Sequence, residues 1–194
     1  VMHAEAYFTI QVGEGVFQVG NVADGTQNTL VLSQGQWYVD FGASLNFFGL
    51  ATLSASGWFS SEGFFDLRIR GEMVLGTRSF GLDGDFDFRI YLNQNPDTLE
   101  YRFGVIASAS VGIRAFGISF ASVGISFSVT AEGAGRVPIV VKAKASVKIL
   151  FVKITARVEF NLGYIELPKP ICLAGEGEVG SYNRWRRNDA ANFG

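Results

Sequence analysis

The chain has one cysteine, Cys172, and one histidine, His3, in 194 residues. A single thiol excludes an internal disulfide framework and leaves the redox compartment open. A single histidine at the chain's beginning offers no placed base for a hydrolytic triad, and His3 with Cys172 falls short of a zinc ligand set. Charge of neither sign is in surplus: 16 Lys and Arg stand against 18 Asp and Glu, a net of −2. The polyanion-binding signature is therefore missing, and no nucleic acid partner is expected. No run of about 18 apolar residues occurs, which excludes a transmembrane helix. No signal-peptide pattern is read in the sequence, and the opening Val1-Met2-His3 is expected of a processed or excised piece whose targeting segment has been removed. Gly13, Gly15 and Gly20 are followed by no helix pattern, so they form no phosphate loop. No cofactor, metal or catalytic residue is expected.

Glycine at 24 and phenylalanine at 18 are abundant, in a chain ruled by period-two alternation. The clearest stretch runs from Glu62 to Leu92. Phe65, Leu67, Ile69, Met73 and Leu75 alternate with Asp66, Arg68, Arg70 and Glu72; Phe80, Leu82, Phe86, Phe88 and Ile90 then alternate with Asp83, Asp85, Asp87 and Arg89. This is the pattern of a β-hairpin with one apolar and one charged face. Closure at Gly76-Thr77-Arg78-Ser79 sets Asp66 opposite Arg89, Arg68 opposite Asp87 and Arg70 opposite Asp85. It also sets Gly71 against Gly84, which leaves room on the inner face for either a hollow or a Trp or Phe from another strand. Upstream, a loop Ser61-Glu62-Gly63 pairs Gly57 with Leu67, Ala55 with Ile69, Leu53 with Gly71 and Ala51 with Met73. Downstream, Glu100 is expected beside Arg89 and Arg102 beside Asp87.

The same reading extends to the rest of the chain. Short strands are expected around Phe8, Val16 to Val22 and Leu30 to Leu32. A single strand from Gln36 to Phe59 would exceed roughly 75 Å, so a bend or bulge is expected at Gly49. Ala43-Ser44-Leu45 before Phe48-Gly49, Ala109-Ser110-Val111 before Phe116-Gly117, and Ala145-Ser146-Val147 before Phe151 echo one strand, aromatic corner, strand device. Lys142, Lys144 and Lys148 read as guards of an exposed edge strand. Pro168 and Pro170 end regular pairing. The expected fold is all-β: an antiparallel meander of long strands closed into a sandwich or barrel, its inner face packed, with negligible helix. One domain covers residues 1–180, with a short-strand region at 1–35 and a long-strand meander at 36–167. Residues 181–194 form a polar tail.

Chemistry is weakly signalled. Asp83-Gly84-Asp85-Phe86-Asp87 has the look of a calcium loop, but Phe88 and Gln94 stand where glycine and glutamate are needed. Alternate carboxylates on a strand are almost 7 Å apart, so these are read as a charge ladder. Arg184, Trp185, Arg186 and Arg187 mix cations with an aromatic and are read as assembly contacts in the tail.

ASLNFFGLATLSASGWFSSEG, with the later FGISFASVGISFSV and KASVKILFVKITA, resembles repeat modules of very large secreted bacterial cell-surface proteins, over Gly42 to Leu167. That resemblance implies a non-enzymatic extracellular or cell-surface module and no particular site residues. Self-association, or binding to other surface proteins, through strand edges or termini is expected from the exposed edges, the loose tail and Val1 beside a first strand. Two alternatives carry the same alternation: a β-groove or barrel holding an apolar ligand such as lipid, and an outer-membrane β-barrel with its charges turned into the lumen.

Overall fold

The structure, a computed structural model, describes residues 2–23, 25–77, 79–94 and 100–168. These form eleven strands: β1 (Met2–Val12), β2 (Gly15–Val19), β3 (Asn28–Leu32), β4 (Trp37–Phe47), β5 (Ala51–Ser60), β6 (Phe65–Gly76), β7 (Phe80–Gln94), β8 (Tyr101–Ala115), β9 (Ile118–Gly133), β10 (Gly135–Ile149) and β11 (Val152–Leu167). No helix occurs among them. Nine strands make one sheet in the order β1-β4-β5-β6-β7-β8-β9-β10-β11, and β2 pairs only with β3. Every pairing is antiparallel, and β1 belongs to the large sheet as the neighbour of β4 rather than to a separate short-strand region. The all-β meander stands. Closure into a barrel does not, because β1 and β11 are the outer strands of the sheet and do not pair with each other.

The β5–β6 register follows the small-against-large expectation, with Ala51 opposite Met73 and Gly57 opposite Leu67. Gly63 takes φ 86°, the left-handed conformation its three-residue loop demands. The β6–β7 register is two residues away from the expected one. The turn is closed one step further on, by Thr77 N–H donating to the Phe80 carbonyl (2.7 Å) and Phe80 N–H to Thr77 Oγ1 (3.1 Å). Arg68 thus stands opposite Arg89, Arg70 opposite Asp87, and Gly71 opposite Phe86 instead of Gly84. A shift of two leaves every side chain on its original face. Two of the three expected charge pairs still meet, but diagonally: Arg89 reaches Asp66 and Arg68 reaches Asp87, while Arg70 bonds Asp87 in place of Asp85. The β7–β8 register is also corrected. β7 continues to Gln94, which faces Tyr101, so Arg102 lies opposite Asn93 and not near Asp87.

The aromatic corners are chain reversals, not bends. Phe48 and Gly49 take φ 54° and 70° between β4 and β5, with Leu50 N–H donating to the Phe47 carbonyl at 2.9 Å. Phe116 and Gly117 (54° and 76°) reverse the chain between β8 and β9, and Leu150 (52°) does so between β10 and β11. Two consecutive positive φ values define the primed turn that matches strand twist. Phenylalanine and leucine accept that conformation at a cost of about 1–2 kcal/mol each. Lys142, Lys144 and Lys148 consequently sit on the next-to-last strand; β11, with Lys153 and Arg157, is the true edge.

The position of the core is the largest departure from expectation. The buried cluster of Val19, Leu30, Leu32, Tyr38 and Trp58, flanked by Phe17 and Phe64, lies where β2 and β3 cover one end of the sheet. Tyr38 and Trp58 alternate with the apolar row of β4 and β5, so this cover lies on the polar face. Over the apolar face no second layer is found among the described residues. Phe86, Ile125, Val111 and Phe160 are all exposed there.

Candidate functional surface

Cross-strand pairing carries the apolar face across all nine strands without a polar interruption. One transverse row reads Phe8, Phe41, Gly57, Leu67, Ile90, Val105, Val129, Val141, Phe160, one residue per strand. Nine strands at about 4.8 Å span about 40 Å, and the longer strands run about 50 Å. The face is therefore on the order of 1,500 Å², well above the few hundred typical of the largest patch on a monomer. Its surface is uneven. Ala4, Ala6, Ala43 and Ala55 floor a depression of about 360 Å³ walled by Leu45 and Leu53. No hollow is found at the sequence-predicted position: Gly71 and Gly84 do not face each other, and a side chain at Gly71 would overlap the Phe86 ring. An aromatic from the paired strand takes the space of the missing side chain, and it does so again where Tyr7 lies over Gly42 and Tyr91 over Gly104.

The opposite face carries the charges, and its aspartates are partnered. Asp87 accepts from Arg68 Nε at 2.9 Å and from Arg70 Nε at 3.2 Å, Asp83 is bound by Arg114, and Asp85 accepts from Ser110. Among the described residues no group of three His, Cys, Asp or Glu is placed to hold a metal ion. His3 is exposed beside Glu5 at 3.7 Å. Cys172 and Arg184, Trp185, Arg186 and Arg187 lie outside the described residues. No helix of the described residues is long and apolar enough to cross a membrane.

The Asp66 cluster was not evident from the alternation pattern. Its carboxylate is 1% exposed, and it receives Arg89 Nε at 2.9 Å, Arg89 Nη2 at 2.5 Å and Asn93 Nδ2 at 3.4 Å. Arg102 Nε in turn donates to Asn93 Oδ1 at 3.1 Å. Burial raises the Asp66 carboxyl above its ordinary range against the pull of Arg89, while its hydrogen bonds to Arg89 hold that guanidinium above its own. In the sequence Asp66 is one member of a charged row, and only the cover by neighbouring elements singles it out.

Asp87 behaves in the opposite way, because the hydrogen bond from Arg68 holds its carboxyl below the ordinary range. A lowered carboxyl stabilises the fold above its unfolded-state value, and that contribution is lost as the pH falls through the folded-state value. The stability difference between the wild type and Asp87→Asn, read from urea unfolding, is expected to be constant near neutrality. It should shrink only below the ordinary carboxylate range.

No protein-family model, curated protein or solved structure matches this chain. The functional reading rests on the surfaces themselves.

Proposed function

We propose that this protein is a non-enzymatic structural module that works by association, its apolar sheet face being covered in the assembled state by a second copy of the same β layer. The observation that carries this reading is the uninterrupted apolar face, on the order of 1,500 Å², with nothing over it among the described residues. A stable interface needs about 800 Å² per partner, so one such face is ample. The mixture of small and large residues suits sheet-on-sheet packing, where the two faces interdigitate at about 10 Å. An extracellular or cell-surface setting is part of the same proposal and rests on the resemblance to bacterial surface repeat modules. The alanine-floored depression between β1, β4 and β5 favours a second occupant of the face, an apolar ligand such as lipid.

Native mass spectrometry with sedimentation velocity tests both readings on the same sample. The wild type is expected to dimerise, and Val111→Gln with Ile125→Gln should weaken that dimer at least about a hundredfold, since four buried amides would lack partners across a two-fold interface. Both positions are exposed on the lone sheet, so the monomer should fold unchanged. A ligand-free monomer at all concentrations overturns the association reading, and a monomer carrying bound lipid moves the assignment to the second.

A further inference from the structure

The two ends of the sheet differ in chemistry, and this carries an inference independent of the apolar face. The β4–β5, β6–β7, β8–β9 and β10–β11 turns all lie at one end, because hairpins of a meander alternate between ends. The other end carries Ser61-Glu62-Gly63 and, where β7 and β8 meet, Gln94 opposite Tyr101 with Glu100 beside it. The first end is lined by Phe48, Leu50, Phe80, Phe116 and Phe151, all exposed, with Phe116 at 81% and Phe151 at 92%. Phe80 packs against Phe116 across adjacent hairpins at 4.9 Å between ring centres, joining neighbouring turns into a rim.

Turn stability does not account for these side chains. Phe48, Phe116 and Leu150 hold left-handed φ values that asparagine or glycine would accept with less strain, and their exposure returns little burial to the fold. The charges behind the rim change along it. Toward β1, β6 and β7 the acids Glu5, Glu72 and Asp83 lie near the turns, with Arg114 beside them, whereas the β10–β11 turn is flanked by Lys148 and Lys153 and by no acid. Arg114 is bound to Asp83, but Lys148 stands directly opposite Lys153, and further along the same hairpin Lys144 stands opposite Arg157. Like charges directly opposite each other disfavour the hairpin unless an anion lies against them. From Lys142 to Glu159 this hairpin carries five cations and one acid, a net of +4 in a chain whose total is −2.

We propose that this turn end seats on an anionic lipid surface, with the Phe and Leu turn residues in the interfacial layer and Lys148 and Lys153 at the headgroups. Exposed aromatics ahead of snorkelling cations match a bilayer interface, where rings sit at headgroup depth and long basic side chains reach anionic phosphates. A second copy docked end to end would bring two cationic hairpins together. A nucleic acid would leave the aliphatic part of the rim without a partner.

The test is flotation of the full chain with phosphatidylcholine vesicles and with vesicles of phosphatidylcholine and phosphatidylserine. The wild type is expected to partition at least about tenfold more strongly onto the anionic vesicles, with most of that difference lost in 0.5 M salt. Phe116→Asn with Phe151→Asn should lower binding at least about tenfold while thermal unfolding occurs at an equal or higher temperature, because asparagine accepts the left-handed conformation of Phe116 and Phe151 is 92% exposed. Lys148→Gln with Lys153→Gln should abolish the preference for anionic lipid. The Val111→Gln and Ile125→Gln variant should bind vesicles like the wild type, which separates this proposal from the association reading. Equal binding to neutral and anionic vesicles, no binding at all, or binding that survives in the turn variants but fails in the face variant overturns it.

Discussion

Replacing Arg89 by methionine is expected to destabilise the protein by about 3–5 kcal/mol, the usual consequence of leaving one partner of a buried ion pair alone. Asp66 is 1% exposed and takes two of its hydrogen bonds from that guanidinium; Asn93 cannot replace the charge. The deficit should depend on pH with a definite sign. Burial already raises the Asp66 carboxyl, and losing Arg89 removes the hydrogen bond and attraction that oppose the rise. A raised carboxyl favours folding below its unfolded-state value, and that advantage disappears as the pH rises through the folded-state value. Arg89→Met should therefore lie closest to the wild type in acid and furthest from it at neutral pH. Adding Asp66→Asn removes the stranded charge and should restore more than half of the loss. Urea unfolding of the two single variants and the double variant at pH 4 and pH 7 provides the check, and a neutral-pH loss for Arg89→Met below about 1 kcal/mol would show that water reaches the pair.

Trp58→Ala is expected to cost a comparable amount, about 3–5 kcal/mol, with a different spatial signature. Trp58 is fully buried and joins β5 to Val19, Leu30 and Leu32 of the small sheet, while its Nε1–H donates to the Thr26 carbonyl at 2.9 Å. Removing it leaves β2 and β3 attached chiefly through Tyr38 and the Gly20 N–H to Asp40 bond at 2.7 Å. Amide exchange should accelerate across Gly15–Val19 and Asn28–Leu32 while β7 to β9, which are held by neighbours on both sides, keep their protection. Trp58→Phe retains most of the packing but strands the buried Thr26 carbonyl, so a smaller loss of about 1–3 kcal/mol is expected. Uniform acceleration over the whole sheet in Trp58→Ala would mean that the small sheet and the large one unfold as one unit.

The limits of sequence reading appear most clearly in the hairpin of β6 and β7. The β5–β6 register was legible because Gly57 beside Leu67 and Ala55 beside Ile69 admit few alternatives and Gly63 marks the loop. In β6 and β7 the charges repeat every two residues, so a register displaced by two still brings Asp66 to Arg89 and Arg68 to Asp87 along the diagonal. Electrostatic matching therefore cannot distinguish the two registers; the turn decides, through the hydrogen bonds of Thr77 and Phe80. The reversals at Phe48, Phe116 and Leu150 were hidden for a related reason, since turn propensity points to Asn and Gly and these positions hold large apolar residues.

The period-two alternation alone determined that the chain forms long antiparallel strands and that the sheet has one apolar and one polar face. Those properties reside in neighbouring residues and need no knowledge of distant ones. Only the tertiary structure decided that β1 joins β4, that the sheet remains open at β1 and β11, and that β2 and β3 bury Trp58 on the polar side while no second layer among the described residues covers the apolar face. Each of these depends on which segment, far away in the chain, comes to lie against which face. Alternation is the same whether a face meets a second sheet, a lipid or nothing.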